Sequence, residues 1–278
     1  MSVEFNEEEN LEDEIFEVDE ELLRQVLPKR FRKEKTIEDR EIENWVFDRP
    51  TLIALAKLIN KGYLSELVST ISMGKEANVF RGKDSAGFPV AVKIYKKDTT
   101  LFKDMMPYLD GDPRFKRIKR KRSHIIYTWC QKEFKNLQEF YEIGVPVPKP
   151  FAYRDNVLVM EFIGIDDIPA PRLKDIVLED PREMLNSIIE DIRKLYENGF
   201  VHADMSEYNI LVKDESEYYI IDVGQGVPLA HPMAYRWVVR DVVNIVNYFN
   251  RRYKLCLDPK KYVLEVIGEE ILADYLML

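Results

Sequence analysis

His202-Ala-Asp204-Met-Ser-Glu-Tyr-Asn209, followed by Ile220-Ile-Asp222-Val-Gly224, is the stretch on which the reading of this chain turns. It presents an acid, an asparagine five residues on, and a second acid thirteen residues further. Asp204 can accept a hydroxyl proton or orient an attacking water, while Asn209 and Asp222 offer hard oxygens to Mg²⁺ bridging nucleotide phosphates. Asp-x4-Asn alone describes any pair of capped turns. His202 ahead of it, and an Asp-x-Gly delivered by the apolar run Tyr218–Ile221 behind it, make the pattern selective.

Working outward, Val90-Ala-Val-Lys93 ends a β-rich run with a lysine. A lysine so placed reaches α- and β-phosphates and pairs with a helical glutamate. Glu133, on a helix expected over 123–143, is the first candidate partner and Glu139 the fallback, although most helix glutamates are merely solvated. Upstream, Ser69-Thr-Ile-Ser-Met-Gly-Lys-Glu-Ala-Asn-Val-Phe80 lies where a loop covering phosphates would sit, with Ser69, Thr70 and Ser72 as hydroxyl donors. It holds one glycine, Gly74, and fits neither Gly-x-Gly-x-x-Gly nor a Walker A loop, since Ala77 stands where the latter needs glycine. Read alone it is an ordinary strand-turn-strand.

The rest of the chain organises around these pieces. Apolar residues recur at helical spacing over 51–61 before Gly62, and 34–48 is a weaker helical candidate. Short β-rich runs follow at Leu64–Ser72, Ala77–Gly82 and Pro89–Tyr95, then a buried strand at Asn156–Ile163. Beyond Gly164 the pattern turns mostly helical. Asp180-Pro181 opens one helix that Gly199 closes, strands flank the turn Lys213–Ser216, and further helices are expected at 234–251 and 260–277. A β-rich first half joined to an α-rich second half implies two lobes with a ligand cleft between them.

Composition is that of an ordinary soluble globular protein. Of 278 residues, 46% are hydrophobic and 33% charged, and the two cysteines are too few for a disulfide framework. Both are expected as buried thiols in a reducing, cytoplasmic setting. No apolar run reaches the roughly 18 residues of a membrane span, and the acidic start does not read as a signal peptide, so no membrane partner is expected. The net charge of −9 is unevenly placed: residues 1–21 carry eleven acids and no base, leaving +2 for the remainder. Such a segment reads as an acidic disordered tail. In contrast, Arg114-Phe-Lys-Arg-Ile-Lys-Arg-Lys-Arg122 holds seven bases in nine positions, a run suited to phosphate backbones or simply to a solvated face.

Assembled, these segments resemble the RIO family of atypical serine/threonine protein kinases, in its first subgroup, which has no winged-helix domain. The resemblance rests on Gly74-Lys-Glu-Ala-Asn-Val-Phe80, Met160-Glu-Phe-Ile-Gly164, Val201–Asn209, and Ile220-Ile-Asp-Val-Gly-Gln225 with His231-Pro232, and spans residues 50–275. It implies an α+β, bilobal protein-kinase-like fold, with an antiparallel β-sheet N-lobe and a mainly α-helical C-lobe. The expected boundaries are an acidic tail at 1–21, a helical extension at 22–63, an N-lobe at 64–159 with a basic flexible loop at 98–122, and a C-lobe at 160–278. It also implies ATP with Mg²⁺ or Mn²⁺, with Lys93 and Ser72 at the phosphates, Glu133 paired to Lys93, and backbone groups of Glu161 and Ile163 at adenine. Asp204 would be the catalytic acid/base, Asn209 and Asp222 the metal ligands, Asp222 a candidate for an aspartyl-phosphate, and Ser123 a candidate autophosphorylation site.

The resemblance further implies autophosphorylation and a role in small ribosomal subunit maturation, with a pre-small-subunit particle and its rRNA, not DNA, as partner through 114–122. The compact form resembles archaeal members. No Ala-Pro-Glu follows Asp222, and only 56 residues remain after it, little room for a peptide-binding platform. Two alternatives stand beside this reading. One is a small-molecule phosphotransferase of the aminoglycoside or choline kinase sort. The other is an RNA-binding scaffold whose nucleotide site does not turn over.

Overall fold

The computed structural model describes residues 47–97, 102–116, 118, 120–214 and 217–269. The acidic tail, the helical candidate at 34–48 apart from its last two residues, Thr99, Thr100 and the end of the helix expected over 260–277 lie outside the described residues.

The first half builds a five-stranded antiparallel sheet. Its strands are β1 (Glu66–Met73), β2 (Ala77–Lys83), β3 (Pro89–Tyr95), β4 (Pro150–Arg154) and β5 (Val157–Glu161), in the order β1-β2-β3-β5-β4. Helix α1 (Arg49–Asn60) starts where Asp48 accepts from Thr51 N at 3.0 Å and ends at Gly62, whose φ of +79° suits a residue without Cβ. Its Leu55 and Leu58 pack with Leu67, Phe80, Val90, Val92, Ile94, Val157 and Val159 on one face of the sheet. The two-residue period of a strand then sends Ala91, Lys93 and Tyr95 to the opposite face. That alternation places a lysine where an apolar core would otherwise continue. Asn156 locks α1 to the sheet, donating to Thr51 Oγ1 at 3.0 Å and to the Tyr95 carbonyl at 2.9 Å.

Two elements occupy the stretch between β3 and β4. The segment expected as a flexible loop at 98–122 contains helix α2 (Phe102–Leu109), and α3 (Arg122–Ile143) follows it. Met105 and Leu109 of α2 are buried in the main core, and so is the polar Asp112 just after it. Apolar burial therefore holds much of this stretch in place. Helix α3 buries Ile126, Trp129, Cys130, Leu137 and Phe140 along one side and stops at Gly144, with φ +83°. Cys130 is a buried free thiol, but Cys256 is exposed, contrary to the expectation of two buried thiols.

The second half is mainly helical. After the hairpin of β6 (Gly164–Ile165) and β7 (Ile168–Pro169) comes α4 (Pro181–Glu197), capped by Asp180. Then follow β8 (Phe200–Val201), the hairpin of β9 (Ile210–Asp214) and β10 (Glu217–Ile220), and β11 (Val227–Pro228), which pairs with β8. Helices α5 (Ala234–Tyr253) and α6 (Pro259–Ile267) complete it. The fold is thus a bilobal, kinase-like α+β arrangement of a sheet half and a helical half.

Candidate active site

Lys93 comes from the sheet, Glu133 from α3 and Asp222 from the chain leaving β10. They meet at one point. Lys93 Nζ donates to Glu133 Oε1 and Oε2 at 2.7 and 2.9 Å and to Asp222 Oδ1 at 2.6 Å. Glu133, not Glu139, is therefore the acid against the lysine. Burial works against the Lys93 ammonium, but the charges of Asp222 and Glu133 outweigh it and hold the group above the usual lysine range. The Lys93 charge in turn holds the Asp222 carboxyl below the usual range. Lys93 and Glu133 are buried, whereas the Asp222 side chain is 47% exposed. The backbone of Asp222 sits at φ +57°, a left-handed conformation uncommon outside glycine, asparagine and aspartate, which turns its side chain off the line of β10.

Asp204 stands on the loop between β8 and β9. Asn209 Nδ2 donates to its carbonyl at 2.9 Å and to its Oδ2 at 3.0 Å. Burial pushes the Asp204 carboxyl up, while the Asn209 hydrogen bond pulls it down. His202 shapes the same loop. Its Nδ1 accepts from Asp204 N at 3.2 Å, so its Nε2 carries the proton and donates to the Ile221 carbonyl at 3.3 Å. Burial lowers the His202 pKa to about 4, which keeps the ring neutral.

Sequence reasoning missed Asp241, on α5. It is fully buried and accepts from Ala203 N at 2.7 Å and Met205 N at 3.0 Å, gripping the backbone on both sides of Asp204. Arg240 donates to the Ala203 carbonyl from the same helix, and Ala203 itself sits at φ +63°. Burial pushes the Asp241 carboxyl up to about 7, with the two amides pulling the other way. The signal was present: Asp241 falls in phase with Trp237, Val238, Val242 and Ile245, the apolar stripe of the helix. Glu76, in the β1–β2 turn, was also missed. It is half-buried, and burial pushes its carboxyl up while the Lys93 charge pulls it down.

The remaining candidates make no hydrogen bond to this centre among the described residues. Ser72 is half-buried near the end of β1, opposite Val79. Glu161 ends β5 and turns its side chain away, accepting from Lys149 N at 3.1 Å. Ile163 lies beyond the strand rather than within it, and its carbonyl accepts from Ala170 N at 3.0 Å, so its N–H is the group it can offer a purine edge. Ser123 is the second residue of α3, at the start of the helix expected over 123–143.

The donor set fits a nucleotide-borne divalent cation. Asn209 commits its amide N–H groups to Asp204, leaving Oδ1 as a ligand, and Asp222 adds a half-exposed carboxylate. Among the described residues no three His, Cys, Asp or Glu side chains gather as a metal site. Magnesium held through one or two protein oxygens, phosphates and water needs no such cluster.

The sequence matches known proteins across most of its length. The profile of the RIO domain family covers residues 78–262. The RIO-type serine/threonine-protein kinase Rio1 of Methanocaldococcus jannaschii is 42% identical over 263 residues, covering 94% of this chain and 88% of the relative. Its counterpart in Haloferax volcanii is 41% identical over 212 residues, covering 76% and 73%. Human serine/threonine-protein kinase RIO1 is 38% identical over 218 residues, 77% of this chain but 38% of the longer relative. Among solved structures, the Rio2 kinase of Chaetomium thermophilum with ADP, Mg²⁺ and phosphoaspartate superposes with a TM-score of 0.61. It covers 81% of this chain and 68% of its own at 24% identity, a likeness of fold. A kinase-like fold, a Lys–Glu–Asp cluster facing an Asp–Asn loop, and this extent of shared sequence place the chain in the RIO family of atypical serine/threonine kinases.

Proposed function

We propose that this kinase uses Mg-ATP chiefly as a timing ATPase on a maturing small ribosomal subunit in the cytoplasm, with autophosphorylation as a side reaction. The observation that carries the phosphoryl-transfer part is the meeting of Lys93, Glu133 and Asp222 within 2.9 Å, beside an Asp204 already bonded to Asn209. Lys93 would hold the α- and β-phosphates, and a phosphate arriving there competes with Asp222 for the ammonium and releases that carboxylate. Mg²⁺, held by Asp222 and Asn209, would neutralise charge on the transferring phosphoryl group. Asp204 takes the proton of the attacking hydroxyl or water.

Hydrolysis is favoured over broad protein phosphorylation by the chain that follows Asp222. A 3-10 turn (Val223–Gln225) and the two-residue β11 lead to α5 at Ala234, which leaves no extended segment to seat a peptide. The Rio2 complex holds a phosphoaspartate. We propose the same species here: Asp222 attacks the γ-phosphorus as ADP leaves, then water attacks phosphorus. The phosphorus–Asp222 bond breaks, and Asp204 receives the water's proton.

Turnover of γ-labelled ATP, followed as free phosphate and as label on protein with and without small-subunit particles, tests this. Asp204→Ala should cut turnover by about 10²–10⁴ while ATP still binds. Asp222→Asn should abolish metal-dependent turnover and any acid-stable acyl-phosphate label. Both variants at wild-type rate would overturn the assignment. Label on protein with no particle-stimulated release would make protein phosphorylation the main task.

A further inference from the structure

Gln225 belongs to the family-like segment Ile220–Gln225 but has no role in the scheme above. Its side chain leaves the 3-10 turn after Asp222 and donates from Nε2 to Asp204 Oδ2 at 3.2 Å. Asn209 Nδ2 donates to the same oxygen at 3.0 Å. Two carboxamides from different segments therefore converge on Oδ2. We propose that Gln225 is a positioning residue for the catalytic base: with Asn209 it fixes the rotation of the Asp204 carboxylate, so that Oδ1 faces the nucleophile.

The turn that carries Gln225 is built to hold it there. Asn136 of α3 donates to the carbonyls of Val223 at 2.6 Å and Gly226 at 2.9 Å, and Lys132 also donates to Gly226. A Cβ at Gly226 would lie 2.9 Å from Asn136 Nδ2, so the close approach requires glycine. A Cβ at Gly224 would lie 3.1 Å from the Trp129 indole nitrogen. The backbone on both sides of Gln225 is thus pinned against α3, the helix that supplies Glu133 to Lys93. Gln225 Oε1 is buried with no hydrogen-bond partner among the described residues, an unfavourable state for a buried acceptor. Swapping the amide would set Oε1 against a carboxylate oxygen, so the network assigns the N–H end to Asp204. The fold tolerates an unpaired oxygen and retains the bond to the base. Backbone pinning alone would accept any side chain of similar size; a donor aimed at Oδ2 is what distinguishes glutamine.

The inference rests on the phosphoryl-transfer reading, and the test separates the two. ATP turnover is measured on the full chain as wild type, Gln225→Ala and Gln225→Glu, each also in the Asp204→Ala background. Gln225→Ala should lower kcat roughly tenfold to a hundredfold, as expected when a reacting group is misaligned, with KM for ATP within about twofold. Gln225→Glu keeps the shape, loses the donor and adds a charge facing Asp204, so it should be the slower of the two. In the Asp204→Ala background neither should cause a further loss, because the effect passes through Asp204. A role in the turn alone gives the opposite signature: Glu milder than Ala, KM raised through Asp222, and losses that persist without Asp204. That signature overturns the inference, as does a wild-type kcat in Gln225→Ala. If Asp204→Ala itself turns over at the wild-type rate, the catalytic reading falls instead.

Discussion

At the residue scale the chemistry of His202 makes a prediction about acid. The fold holds this ring neutral down to about pH 4, whereas the unfolded chain protonates near 6.5. Between those values the unfolded state binds more protons, so stability falls as pH drops from 6.5 toward 4 and is unaffected by this group above 6.5. The contribution at stake is about 3 kcal/mol. Urea midpoints measured from pH 7 to 4 should decline more steeply in wild type than in His202→Asn, and parallel curves would refute the assignment. His202, Asp204, Asn209 and Asp222 were legible because their spacing is local and their chemistry distinctive. Asp241 was not, since its partners are the amides of Ala203 and Met205, on a loop far away in sequence. Only its phase on an apolar helix stripe betrayed it.

At the scale of elements the main surprise is α2. Phe102, Met105, Met106 and Leu109 follow the i, i+3, i+4, i+7 spacing of a helix, although the resemblance implied a flexible loop over 98–122. Beyond the apolar burial of Met105 and Leu109, the segment is anchored by buried charge. Asp112 lies 3.2 Å from Lys132, both fully buried, and 2.7 Å from Arg114. Burial opposes the Asp112 carboxylate, but Arg114 and Lys132 hold its pKa below the usual range, while burial brings Lys132 down to about 7. His231 adds a second anchor, donating from Nε2 to the Pro107 carbonyl at 3.0 Å. Removing one partner of a buried pair leaves the other uncompensated, at about 3–5 kcal/mol. Asp112→Ala should therefore lower the free energy of unfolding by that amount in urea titrations. A loss under about 1 kcal/mol, the scale of an exposed pair, would mean that α2 does not depend on this contact.

At the scale of the whole molecule, the two halves were readable from the switch between two-residue and helical periods, and from the lysine within β3 and the acid that follows β10. The surface was read less well, because the sequence counts every base alike while the fold does not. Of the seven in the basic run, Arg114 is turned inward: it donates to Asp112 at 3.0 and 2.7 Å and reaches the Gly226 carbonyl at 3.4 Å. Its charge is neutralised by Asp112 and is not available to an outside phosphate. Arg120, Lys121 and Arg122, by contrast, are exposed where the chain enters α3. If the small-subunit rRNA is held here, those three, with the exposed Lys116, are the described bases placed to meet it. Each phosphate contact contributes about 0.7–0.9 to the slope of log affinity against log salt, because binding releases condensed counterions. Reversing Arg120, Lys121 and Arg122 to glutamate should weaken rRNA binding most at low salt and flatten that slope by roughly 2 to 3. Arg114→Glu should act differently, lowering stability through Asp112 and leaving the salt slope almost unchanged in the folded fraction. Binding isotherms between about 50 and 200 mM salt distinguish these effects. A slope equally steep in the triple reversal and the wild type would place the RNA contact on another face.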